Sequence, residues 1–175
     1  MRLFIAINFP AEIKAVMSGI RDNLKKESLH GNFSLDENLH LTLVFLGECD
    51  YAQVSAIKAV MKKITVPELK LTIEKVGYFK RDGGNTWWIG LKHNPLLSNL
   101  HNELSTLLKQ NGFIIEDRKY VPHITIGREV KMHSGFTIPE IQQVEFNIKS
   151  IDLMKSERIN GKLTYTQIYS SGIKN

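Results

Sequence analysis

Cysteine is almost absent from this chain: Cys49 stands alone among 175 residues. One thiol closes no intrachain disulfide and builds no Cys-type zinc site, so a reducing, cytoplasmic setting is expected. Long apolar runs are missing as well. The stretch at residues 3–7 is too short for a signal-peptide core or a membrane span, and no membrane association is expected. The sequence also has no Walker loop, Gly-x-Ser-x-Gly elbow, His-Glu-x-x-His pair or Asp-rich loop. Their absence removes the signatures of P-loop NTPases, serine hydrolases and the commoner metal enzymes. Nor is charge of one sign concentrated: 23 basic against 18 acidic residues leave +5. The cations are scattered as Lys25-Lys26, Lys62-Lys63, Lys80-Arg81, Arg118-Lys119 and Arg128. This balance suits an anionic partner without naming one.

What is present begins with 42% hydrophobic residues, enough for one substantial core. Residues 3–7 read as a strand, and Phe9-Pro10 opens a helix with Ile13, Val16, Met17, Ile20 and Leu24 at helical spacing. A strand at 39–46 leads to Asp50, a helix cap, and then Val54, Ile57, Val60, Met61 and Ile64. Residues 69–76 and 86–91 form a hairpin across the turn-rich 81–85. A third helix starts at Asn94-Pro95 and stops at Asn111-Gly112. A strand at 121–127, a loop at 135–139 and β-rich stretches at 144–154 and 163–169, joined through Asn160-Gly161, complete the chain. Hairpin signals and the lack of strict βαβ alternation predict α+β architecture with mainly antiparallel sheets.

One short pattern occurs twice: His40-Leu41-Thr42-Leu43 and His123-Ile124-Thr125-Ile126. On a strand, each His and Thr share one face while the aliphatics bury on the other. Two such strands facing each other supply two proton-transfer groups and two hydroxyl donors, sufficient for acid/base attack on a phosphate without a metal. Thr42 and Thr125 are poor metal ligands, so neither a metal nor a cofactor is expected. The other histidines have blander readings: His30, His93 and His133 fall in loops or at a helix start, and His101 in the third helix, all as surface or rim. Arg128, just beyond the second motif, is placed to hold a phosphate oxygen. Phe9, Phe45 and Tyr120 are the aromatics considered for stacking on a nucleobase.

Residues 39–47 and 122–128 together resemble the paired signature of the two-histidine phosphoesterases, closest to the RNA 2′,3′-cyclic phosphodiesterases of the LigT/ThpR type. The resemblance extends to residues 3–10, to Phe79 and Trp87-Trp88, and to the tail at 153–165, so it spans nearly the whole chain. It implies a bilobal α+β fold across residues 1–175, in which two antiparallel sheets flank a central cleft, helices pack outside, and each lobe contributes one His-x-Thr strand. It further implies His40 as proton donor, His123 as the base that activates water, and a 2′-phosphomonoester product. The expected substrates are RNA ends or small nucleotides with a 2′,3′-cyclic phosphate. DNA lacks the 2′-hydroxyl and is excluded as that substrate. A monomer is expected. Two alternatives stay open at this point: reversible 2′-5′ RNA ligation, and a non-catalytic nucleotide- or RNA-binding module.

Overall fold

Apolar alternation along the strands resolves into two antiparallel sheets in the computed structural model, which describes residues 1–173. The first sheet runs β3 (His40–Glu48), β1 (Arg2–Asn8), β8 (Ser150–Ile159) and β9 (Lys162–Gly172). The second runs β2 (Ser28–Phe33), β6 (His123–Met132), β5 (Asn85–Leu91), β4 (Lys70–Phe79) and β7 (Val144–Asn147). Each sheet therefore holds one His-x-Thr strand, β3 at an edge and β6 in the interior.

The helices tie the sheets together by crossing between them. The helix α1 (Ala11–Lys26) leaves β1 of the first sheet and packs on β2 and β6 of the second. Conversely α3 (Pro95–Gln110) leaves the second sheet and packs against β3 and against α2 (Tyr51–Lys63). Leu3, Ile5 and Ile7 of β1 point to one face, where they join a core that continues through Ile57, Met61, Trp87, Ile89, Leu104, Ile124 and Ile126. Phe4 and Ala6 take the opposite face and form a smaller cluster with Met154 and Tyr165. That second face carries the candidate residues of the first motif, with His40 beside Phe4 and Tyr165.

Local signals act as expected at several boundaries. The Asp50 carboxylate accepts the Gln53 N–H at 2.8 Å and the Gln53 side chain accepts the Asp50 N–H at 2.9 Å, a reciprocal cap for α2. Asn94 caps α3 by accepting the Leu97 N–H at 3.1 Å, with Pro95 in the first turn. Asn160 and Gly161, both at positive φ, join β8 to β9.

Two readings need correction. The segment around His30-Gly31, expected as a polar loop, is the edge strand β2 paired to β6. Edge strands need backbone pairing more than apolar burial, and a Cβ on Gly31 would stand 2.7 Å from Val130 Cγ2. The stretch 144–154 is two strands rather than one: β7 closes the second sheet, and after residues 148–149 the chain enters the first sheet as β8. Among the described residues, no helix is long and apolar enough to cross a membrane.

Candidate active site

His40 and His123 each begin a strand, and each donates its Nδ1–H to the carbonyl two residues earlier: Asn38 at 2.7 Å and Val121 at 2.7 Å. A carbonyl only accepts, so the hydrogen sits on Nδ1 and a neutral ring keeps its lone pair on Nε2. The backbone thus orients both imidazoles alike. Nε2 of His40 receives the Thr42 hydroxyl at 3.1 Å. Thr125 stands on the same face of β6 as His123.

Burial and neighbouring cations keep both rings poor proton holders. Burial is the main cause that lowers His40 from 6.5 to about 4, and the charges of Lys14, Arg128 and His123 push the same way against the Asn38 carbonyl. Burial likewise lowers His123, with Arg118 and Arg128 adding to it and the Val121 carbonyl opposing. Arg128 acts on both rings and on Tyr165, whose hydroxyl burial raises. Its exposed guanidinium can therefore meet an anion bound between the imidazoles.

Aromatic rings fix the walls. Phe4 lies 4.8 Å from His40 at a 39° tilt, and Tyr165 meets it edge-on at 5.0 Å. Phe79 meets His123 edge-on at 5.1 Å.

The carbonyl that orients His40 belongs to a pinned turn. Asn38 donates its Nδ2–H to the Leu163 carbonyl at 2.9 Å, while Lys14 donates to the Glu37 carbonyl at 3.1 Å. Asp36 accepts from Ser18 at 2.8 Å and from Arg21 at 2.5 Å, and these bonds hold its carboxyl below the usual range. Asn8, opposite His40 in the β1–β3 ladder, donates to the buried Asp152 at 2.8 Å; the Ser150 and Ser170 hydroxyls also donate to that carboxylate. A rigid polar floor results beside the first imidazole.

Comparison with known proteins decides the family. The family described as LigT like Phosphoesterase matches residues 7–88. An RNA 2′,3′-cyclic phosphodiesterase of Thermotoga maritima is 37% identical over 149 residues, which is 83% of this chain and 79% of that protein. The chain belongs to the LigT-like phosphoesterases. Another LigT-like relative, the RNA 2′,3′-cyclic phosphodiesterase of Escherichia coli K12, is 30% identical over 170 residues, 95% of this chain and 93% of that one. The crystal structure of E. coli LigT complexed with 3′-AMP matches with a TM-score of 0.86 at 28% identity, covering 99% of this chain and 98% of that chain. The expected α+β two-sheet fold is the LigT fold.

Within this LigT-like chain the three aromatics singled out from sequence have different fates. Phe9 is only 6% exposed and packs edge-on against Phe146 in the core, so neither of its faces is free for a base. Tyr120 is stacked on His101 at 3.9 Å, and its hydroxyl donates to the Thr42 carbonyl at 3.1 Å. It braces the edge strand β3 and has spent one face on His101. Phe45 is exposed beside Phe4, at 5.8 Å. His101, expected at the surface or rim, is half-buried and donates Nδ1–H to the Leu43 carbonyl at 2.9 Å. The two side chains thus satisfy successive carbonyls of the first motif.

Sequence reasoning missed Phe4, Tyr165, Phe79 and Lys14 around the imidazoles. The parity of β1 puts Phe4 on the face of Asn8, which was a readable signal for one of them. The others depend on strand register, which no local pattern states.

Proposed function

We propose that this chain hydrolyses RNA 2′,3′-cyclic phosphodiester ends to 2′-phosphomonoesters by acid/base catalysis that needs no metal or cofactor. The observation that carries the reading is the pair of imidazoles held in one tautomer with Nε2 available, Arg128 acting on both. In this reading, Nε2 of His123 takes a proton from water as the water oxygen attacks phosphorus in line. The P–O3′ bond breaks and Nε2–H of His40 protonates the departing 3′-oxygen. Each role contributes roughly 10²- to 10⁴-fold.

His40 must gain its proton on binding, because burial and the charges of Lys14 and Arg128 keep it neutral in the free protein. A bound phosphodiester anion offsets those cations. Protonation of Nε2 also removes the lone pair that accepts the Thr42 hydroxyl, which frees the threonine hydrogen for a non-bridging oxygen. Thr125 offers its hydroxyl to a non-bridging oxygen from the other strand, and Arg128 holds the phosphate charge.

The proposal treats the chain as one catalytic unit with one motif per lobe, acting as a monomer on RNA ends or small cyclic nucleotides and not on DNA. A cytoplasmic setting goes with it, supported by the lone, buried and free Cys49. Names of the relatives support the substrate class. Reversible 2′-5′ ligation is the second reading, favoured by the matching orientation of the two rings, which lets either act as acid or base.

The test incubates the protein, in excess EDTA, with an RNA ending in a 2′,3′-cyclic phosphate and identifies the new terminus. A 2′-phosphate is expected, with kcat at least about 10²-fold lower in His40→Ala and in His123→Ala. Loss of activity in EDTA would refute the metal-free mechanism. Tight RNA binding with no product would point to a binding module.

A further inference from the structure

The face of the second sheet that carries His123 and Thr125 has a flat aromatic floor that proton transfer does not use. Trp88 of β5 pairs in register with Thr125 on one side and Gly77 on the other, and Gly90 pairs with His123. Directly paired residues share a face, so the Trp88 side chain lies beside the second motif. A Cβ on Gly77 would stand 2.3 Å from the Trp88 ring, and one on Gly90 would stand 2.9 Å from it. The indole therefore lies down across two glycine backbones, in space that any other residue would fill. The ring is partly exposed, and the two glycine backbones cover one of its faces.

The surroundings keep the ring flat and apolar. Phe79 sits 5.4 Å away at a 41° tilt, and the same Phe79 touches the His123 ring. The indole Nε1 is buried with no protein partner, so that edge offers a ligand no donor. Trp87, next in sequence, points the other way and is 1% exposed, against Tyr78 and Phe136.

We propose that Trp88 is the platform on which the base of the terminal nucleotide stacks, holding the cyclic phosphate against Thr125 and His123. The inference rests on the cyclic-phosphodiesterase reading and deepens it. The substrate is a nucleoside cyclic phosphate, not a bare sugar cyclic phosphate. Its base goes unread, because every base has a π face and the platform offers no edge donor.

The experiment compares kcat/KM for adenosine and uridine 2′,3′-cyclic phosphates with that for the base-free 1-O-methylribose 2′,3′-cyclic phosphate. The wild type should prefer both nucleosides roughly ten- to a hundredfold, the range one stacked base supports. In Trp88→Ala that ratio should collapse towards one, mainly through KM, and Trp88→Phe should retain part of it. An unchanged ratio in Trp88→Ala, or an equal loss on all three substrates, would overturn the platform. If the wild type turns over none of the three, the phosphodiesterase reading fails separately. The platform is then decided by fluorescence: adenosine 2′-monophosphate should quench the wild type and not Trp88→Phe, whose Trp87 remains, and equal quenching would refute it.

Discussion

His40 and His123 take their orientation from main-chain carbonyls of their own strands, so neither needs a carboxylate partner elsewhere in the chain. That choice leaves both rings without a stabilising anion, and burial lowers both below the ordinary value of 6.5. The singly protonated pair, which the mechanism requires, is then most populated below pH 6.5 in the free protein. Measured kcat/KM should accordingly decline as pH rises past that point. The falling limb of kcat should lie at higher pH, because bound phosphate offsets the Arg128 and Lys14 charges. Superimposable kcat and kcat/KM profiles would show that the anion does not retune the rings. At this scale the sequence was informative about His-x-Thr and Arg128, whose spacing relative to one another is local. It was misleading for Phe9, where an aromatic near the motifs proved to be core.

Among the elements, the turn Asp36–Asn38 has the most influence on the site for its size. It carries the carbonyl that aims His40, and it is tied to the β8–β9 hairpin by the Asn38 amide at Leu163 and by Lys162, which donates to the Glu37 carboxylate at 2.8 Å. Asn38→Ala should leave that carbonyl present but slack. We expect a loss of about 1 kcal/mol in stability, seen by urea unfolding, with kcat falling more than KM changes. Wild-type kcat in this variant would show that the remaining Asp36 and Glu37 contacts suffice. Helices and hairpins were legible because caps and turn residues mark them: Asp50, Asn94-Pro95 and Asn160-Gly161 all sit where the chain changes direction. The edge strand β2 was not, since Ser28, His30, Gly31 and Asn32 bury little and are held by backbone pairing to β6. The division of 144–154 between two sheets was equally hidden, because an apolar stretch reads alike whichever sheet receives it.

For the whole molecule, the buried imidazole has a cost that appears in acid. The unfolded chain binds a proton to His40 near pH 6.5, whereas the folded one waits until about 4. Between those values the unfolded state holds more protons, so stability is full above 6.5 and is lost as pH falls. The loss from this group is on the order of 3 kcal/mol. Asp36 and Glu37, both lowered by hydrogen bonds, act in the same direction at lower pH. Urea unfolding of wild type and His40→Gln between pH 7 and 4 should show the shallower pH dependence in the variant, and parallel curves would refute this assignment. The two-sheet architecture could be anticipated from hairpin signals and the duplicated motif, but the crossing of α1 and α3 between sheets could not. Helical periodicity states which face is apolar and not which sheet it will meet.

The paired bond from each ring to the carbonyl two residues back makes the motif self-contained. A strand that acquires these few residues acquires an aimed imidazole at once, without a matching change at any distant position. Such a module can be copied, moved to another sheet or lost on one side without redesign of its surroundings. A two-centre catalyst can therefore arise by repeating one solution rather than by inventing two.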